Sequence, residues 1–455
     1  MLKRTKRDSG RAAWGVLLAS AALAVGACGS GSGPGAGADA GATAGSAAES
    51  VPAAAETSGS HTPAPFEEPP TLEASELAPE ALVKGPLHEV GATVQGDGFM
   101  TAWTVKSQYG TWEAVDREMV ELRVREVYSL DKLNDVSKGE IFAKAFAQAA
   151  GEKAEAVKHV VDDPVGTVKA IPGGVARFAK GVGRVTKKGI DKITEDKEGP
   201  DDRTTEEKAA DAAGAAAGSA ESALIGGKRR EWAEKVGADP YTTNPPLEDK
   251  LDDVGWAAYA GGFALNVAVP SIPGLGMVTT ADRLIYDMPP GELEKRNLDK
   301  LEGAGVSEDA RQKLVLNDNF TLTLQTELTD AVVGLGDAKN KTEVVALAAE
   351  AQSEGDARYI RRGVQLLAAG AKDVGGWTSV HATENEIEAV AGDGRVVMPW
   401  SVDYMTWNEE AIPADSPRFE GAKGREIWIS GVATDLAKSE LAVLGFPVRE
   451  NMPLK

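Results

Sequence analysis

Apolar and polar positions alternate along the first stretch of this chain that carries enough aliphatic and aromatic residues to fold. Val90, Ala92 and Val94 alternate with polar neighbours, Gly96-Asp97-Gly98 has turn composition, and Phe99, Thr101, Trp103 and Val105 alternate again. Tyr109-Gly110 then separates this run from Trp112 and Ala114. A period of two with turn residues between runs predicts a three-stranded β-meander. The period then changes. A helix is expected over about 117–133, and Ser137 with Glu140 forms a capping box ahead of an apolar stripe, Ile141, Phe142, Ala145, Phe146 and Ala149. Asp163-Pro164 has the form of a cap and first position of a further helix.

Beyond residue 223 the pattern is helical, at 228–236, 247–265, 292–301, 309–316, 321–333, 342–350 and 357–369. The last hundred residues revert to strand character. Strands are expected at 377–383, 387–390 and 396–398, with Gly392-Asp393-Gly394 as a hairpin turn. Glu426–Ser430 reads as a strand, Thr434–Leu444 as a helix stopped by Gly445, and Phe446–Arg449 as a strand. That spacing makes a small βαβ unit, although the two short strands equally suit addition to the preceding hairpin. The expected class is α+β: an N-terminal meander followed by helices, then a mainly helical body ending in a hairpin and the βαβ unit.

The N-terminus has a different grammar. Lys3, Arg4, Lys6, Arg7 and Arg11 precede an uncharged stretch from Ala12 to Val25 that closes on Val25-Gly26-Ala27-Cys28. A basic start, a short apolar run and small residues at a cleavage point are the parts of an export signal. The run is shorter than the roughly 20 apolar residues of a membrane span. Val-Gly-Ala-Cys resembles the lipobox of bacterial lipoproteins, which implies lipid on Cys28, palmitate included, and a place in the bacterial cell envelope. Gly29 rather than Asp after the cysteine favours the outer membrane in a diderm host. The chain has one cysteine, so no disulfide forms within it.

The expected organisation is a signal peptide at 1–27, the lipidated Cys28 and a disordered tether over 28–80, an α+β region at 81–194, a low-complexity segment at 195–222 and a C-terminal α/β body at 223–455. From Gly29 to Pro79 hardly an aliphatic residue occurs, too little to offset ordering entropy. Such a tether of about 50 residues reaches about 40 Å. Residues 195–222, acidic and then Ala/Gly-rich, suit a linker or a weak solvated helix. Removing residues 1–27 leaves 44 basic against 69 acidic residues, a formal charge of −25. That balance argues against sequence-independent nucleic-acid binding, which rests on neutralising phosphates.

Candidate chemistry is sparse. His61, His88, His159 and His381 are far apart, and no pattern of nitrogen or sulfur ligands suits a transition metal. Gly226-Gly227-Lys228 runs into arginines rather than completing a phosphate loop, and Gly181-x-Gly183 lacks a third glycine and a preceding strand. No nucleophile elbow is present, and no serine stands out as a partner for His381. No cofactor and no metal are expected. Asp403, Glu409 and Glu410 lie among Trp400, Tyr404 and Trp407, and carboxylates among aromatics are the ingredients of a glycan site. The competing reading is a surface hairpin or helix cap beside core tryptophans.

Two segments bear on membranes. Val254–Ala281 carries no Lys, Arg, Asp or Glu, but Pro270 and Pro273 interrupt it, and a buried helix plus an apolar loop is expected. Elsewhere Val175, Phe178, Val182, Val185, Gly189 and Ile193 follow helical spacing, with Arg177, Lys180, Arg184, Lys187 and Lys188 on the opposite side. A basic amphipathic helix suits an anionic lipid surface or an acidic protein, and equally a docked helix with a solvated basic face. The contact set for the first reading is Arg177, Phe178, Lys180, Val182, Arg184, Lys187 and Lys188.

Four segments together, Gly98–Trp112, Asp163–Gly174, Asp239-Pro-Tyr-Thr-Thr-Asn-Pro245 and Trp428-Ile-Ser-Gly431, resemble an uncharacterised group of exported bacterial proteins carrying them in this order. The resemblance spans about residues 82–449 and implies one architectural unit, with no activity attached. The expectation is therefore a lipid-anchored, non-catalytic envelope protein with a structural or binding role at the membrane surface. The alternative is an envelope hydrolase acting on a glycan or peptide through carboxylates near Asp403.

Overall fold

A computed structural model describes residues 61–137, 139, 143–144, 225–261, 280–383 and 386–454. Cys28 and the signal segment, the stripe after Ile141, the Asp163-Pro164 helix, the basic amphipathic segment and residues 195–222 lie outside the described residues. The chain is an α+β protein, and Ala64–Lys455 forms one compact unit.

Its first sheet is built around β4 (Thr101–Ser107). Strand β5 (Gly110–Val115) lies along one edge in antiparallel register from Ala102↔Val115 to Ser107↔Gly110. The other edge is shared by β2 (His88–Val90) and β3 (Thr93–Gly96). The alternating run thus folds as expected, with its first strand broken between Val90 and Thr93. One further strand, β1 (Thr71–Glu73), pairs with β3, and short helices α1 (Ala74–Leu77) and α2 (Glu80–Val83) follow it. Here the structure departs from a tether reaching residue 80. Composition measures what a segment can bury by itself, whereas this one borrows partners: β1 takes backbone hydrogen bonds from a sheet edge, and the Glu67 N–H donates to the Trp407 carbonyl at 2.8 Å.

Helix α3 (Arg117–Ser137) packs Val120 and Val124 beneath Val94, Trp103 and Val105 of the sheet. Its far half buries Leu130, Leu133 and Val136 against Trp232 of α4 (225–236) and Leu247 and Leu251 of α5 (Pro245–Gly261). The helix predicted from residue 247 is therefore real and buried, and residues 262–279 of the uncharged run lie outside the described residues. Among the described residues no helix is long and apolar enough to cross a membrane.

The helical body continues through α6 (Thr280–Asp287), α7 (Pro290–Gly303), α8 (Glu308–Val315), α9 (Leu322–Gly334), α10 (Lys341–Ala349) and α11 (Glu354–Gly370). Ser307, Thr321 and Ser353 cap α8, α9 and α11 by accepting from the backbone three residues on, which satisfies otherwise orphaned donors. The second sheet has five strands. Strands β6 (Trp377–Ala382), β7 (Ile387–Ala391) and β8 (Arg395–Trp400) are the antiparallel part. Strand β10 (Gly424–Ile429) lies parallel to β8, and β12 (Val448–Arg449) parallel to β10 after helix α12 (Asp435–Val443). Both readings of the C-terminal strands hold: they form a βαβ unit and they extend the hairpin. A two-strand ladder, β9 (Tyr404–Met405) with β11 (Val432–Ala433), closes the sheet's end.

Candidate functional site

Helix α11 is amphipathic in an unusual sense, because its second face is charged and also buried. Ala357, Ile360, Val364 and Leu367 enter the apolar core, while Arg358, Arg361 and Arg362 are 8, 4 and 3% exposed. Spacings of three and four residues set the guanidiniums side by side. A buried charge is tolerated only when paired, and the carboxylates come from the start of α3 and from the β8–β9 connection.

Asp116 provides the first. It sits at φ 82°, a left-handed conformation that aspartate tolerates better than most residues, and its Oδ1 accepts from the Met119 N–H at 2.7 Å. Its Oδ2 accepts from Arg362 Nη1 at 2.8 Å. Glu118 takes the rest: Arg358 lies 3.2 Å away, Arg361 contacts the same oxygen, and Arg362 Nε lies 3.5 Å from the other. Asp403 closes the group. Its Oδ2 accepts from Thr101 Oγ1 at 2.6 Å and from the Arg117 N–H at 3.2 Å, and its Oδ1 lies 3.5 Å from Arg362. Gly431 permits this placement, since a Cβ there would fall 1.9 Å from the Asp403 carbonyl oxygen. Ser430 beside it accepts from Arg362 at 3.1 Å.

The electrostatics follow from this packing. Burial pushes Asp116 above the ordinary carboxylate range against the pull of Arg362, with Asp403 and Glu118 adding to the push. Burial also pushes Glu118 upward, but Arg361, Arg362 and Arg358 outweigh it and hold the group at about 2. Arg358 and Arg362 lose from burial and gain more from the carboxylates, so both rise. Removing one member of such a buried group leaves a charge uncompensated and costs about 3–5 kcal/mol. Each Asp403 oxygen has a partner, so the arrangement is suited to holding α3, α11 and the β8–β9 connection together.

Glu409 and Glu410 do not join it. They are exposed on a 3-10 turn whose Asn408 Oδ1 accepts from the Glu410 and Ala411 N–H groups, each at 2.9 Å. Trp400 and Trp407 are buried with Phe99, Met405 and Ile427 as core. These aromatics are unavailable as a sugar platform. Of the three candidate acids, the structure thus places one in the ionic seam and two on the surface.

Three of the four segments that carry the resemblance meet this seam. Thr101 holds Asp403, and Ser430 holds Arg362. In the third, Thr242 and Asn244 both donate to the buried Glu126 of α3, and Thr243 donates to Glu354, the partner of Arg358.

One arrangement escaped the sequence reading. His381 on β6 lies with Nε2 3.0 Å from Ser379 Oγ and Nδ1 3.3 Å from a Glu343 oxygen on α10. Residues two apart on a strand share a face, so Ser-x-His within a strand is the local signal for this pair. The same Glu343 oxygen accepts from the Ala382 N–H at 3.2 Å. Among the described residues no group of His, Cys, Asp and Glu is placed to hold a metal ion. No family model matches the chain, and no curated protein or solved structure is similar to it.

Proposed function

We propose that this chain is a lipid-anchored protein of the bacterial cell envelope, held by Cys28, preferably at the outer membrane of a diderm host, whose body has a structural or binding role at the membrane surface. The basic segment with Arg177, Lys180, Arg184, Lys187 and Lys188 would add a salt-sensitive contact to anionic lipid, at about 1 kcal/mol per residue near the surface. The commitment of both Asp403 oxygens supports a non-catalytic body, because the hydrolase alternative built on that residue needs a free carboxylate. Fatty-acid labelling of cells expressing the wild type and Cys28→Ala tests the anchor. Label in the wild type alone, with release of the variant from membranes, is expected; equal label in both would refute it.

A second reading has one observation in its favour. The Ser379–His381–Glu343 geometry is that of a nucleophile, a base and an orienting carboxylate, which moves the hydrolase alternative from glycans to ester or peptide bonds. A fluorophosphonate probe decides it: attack by Ser379 Oγ on phosphorus would expel fluoride and pass the hydroxyl proton to His381. The first reading expects equal labelling of wild type and Ser379→Ala, and loss of label in Ser379→Ala would favour the second.

A further inference from the structure

Every buried arginine of the seam faces a carboxylate, and Arg230 does not. It is 9% exposed, its Nε donates to the Tyr286 carbonyl at 3.3 Å, and among the described residues it has no acidic partner. Its neighbour Arg229 is answered, by Asp252 at 2.7 Å and Glu248 at 3.8 Å. Arg230 lines an open cleft of about 390 Å³ between α4, the Asp239–Pro245 loop and the start of α9, whose walls include Pro240, Tyr241 and Leu322. Tyr241 brings a second unanswered group, since among the described residues its buried hydroxyl has no hydrogen-bond partner. Burial lowers the Arg230 guanidinium and raises the Tyr241 phenol to about 12, so the phenol stays a donor across the physiological range.

A buried guanidinium without a counter-charge and a buried phenol without an acceptor are each costly, and both residues line the same cleft. An acceptor carrying negative charge would satisfy both. A planar carboxylate matches the guanidinium fork, and the wall of Pro240 and Leu322 suits a short apolar stem. Charge selects further. Among the described residues lining the cleft, Arg230 alone is a cation without a counter-charge, and Glu248 on the wall opposes a second negative charge, so a monoanion fits better than a phosphate dianion.

We propose that this cleft binds a small organic monocarboxylate, with its head at Arg230 and Tyr241 and its apolar stem along Pro240 and Leu322. The proposal deepens the binding role above and rests on it, but it is read on lipid-free protein, so its failure and that of the anchor are distinguishable.

Calorimetric titration of Gly29–Lys455, which contains the whole compact unit, is the test, at constant ionic strength with butyrate, acetate, inorganic phosphate and butylammonium as probes. Butyrate is expected to bind more tightly than acetate or phosphate, and butylammonium not at all. Arg230→Gln should weaken butyrate at least about tenfold, Tyr241→Phe about threefold, and Glu248→Gln should tighten it. The last two are mild changes that keep the test decisive if Arg230→Gln fails to fold. Absence of butyrate binding up to about 10 mM would overturn the proposal. So would a preference for phosphate, or unchanged butyrate affinity in both Tyr241→Phe and Glu248→Gln.

Discussion

The ionic seam and the Arg230 cleft are joined by one loop, Asp239–Pro245, and they treat charge in opposite ways. On the seam side Thr242, Thr243 and Asn244 feed carboxylates that arginines already hold, and α11 spends three buried guanidiniums on Asp116, Glu118, Asp403 and Glu354. On the cleft side, among the described residues, Arg230 has a backbone carbonyl but no counter-charge, and the Tyr241 hydroxyl has no hydrogen-bond partner. Closed networks fix elements relative to one another, whereas unanswered donors beside open space are the material of recognition. Two clusters rich in arginine and carboxylate therefore carry different expectations for mutation, although composition does not distinguish them.

The largest effect should come from the seam's most connected member. Arg362→Met leaves Asp116, Asp403 and part of Glu118 facing one another in a buried site and should cost about 3–5 kcal/mol. Denaturant unfolding at neutral pH measures it. A loss below about 1 kcal/mol would mean that the seam is solvated and that the contrast with the cleft is false.

Two acids, one in the seam and one at the start of the loop that joins seam and cleft, should also respond to pH with opposite sign. Glu118 is held at about 2, below its ordinary 4.5. Its stabilisation is thus fully present above about 4.5 and disappears as pH falls through 2, so Glu118→Gln should cost about 2–3 kcal/mol at pH 7 and little at pH 2. Asp239, partly exposed at the start of the loop, is raised to about 6, first by burial, although the Tyr241 N–H and Thr323 Oγ1 donate to it and pull it down. A raised acid contributes below its unfolded value near 3.8 and loses that contribution as pH rises through 6. Asp239→Asn keeps an acceptor for both donors, and should therefore gain about 1–2 kcal/mol at pH 8 and nothing at pH 3. Unfolding curves across that range would show the two variants diverging in opposite directions; parallel curves would break the contrast.

Much of the architecture was legible because periodicity is a local signal. The strands at 101–107 and 377–400 and the helices from 290 to 370 follow their apolar spacing closely. What stayed hidden depended on partners distant in sequence. Residues 64–80 have too few apolar groups to fold by themselves, and composition cannot credit them with a sheet edge or with Trp407. Arg358, Arg361 and Arg362 carry no local sign of burial, because nothing nearby in sequence says that carboxylates such as Glu118, 240 residues from Arg358, will pair with them. Their presence on an apolar helix in a chain of net charge −21 was the available clue. Asp403 was singled out for its aromatic neighbours, and it does sit at a junction, but for the reason that Thr101 and Arg362 meet it there.

The smallest effects mark where the charged surface stops mattering. Glu409 and Glu410 are exposed beyond the seam, so the double change to Gln should alter stability by no more than about 0.5 kcal/mol. The turn that carries them depends instead on Asn408, whose Oδ1 accepts two backbone donors and whose Nδ2 donates to the Thr406 carbonyl at 3.2 Å. Asn408→Ala removes that cap and should cost about 1 kcal/mol, more than both carboxylates together. Parallel unfolding measurements on the two variants read the ranking directly. If the glutamates proved the costlier loss, charge on this turn would be coupled to the seam, and the boundary between closed network and solvated surface would have to move outward from Asp403.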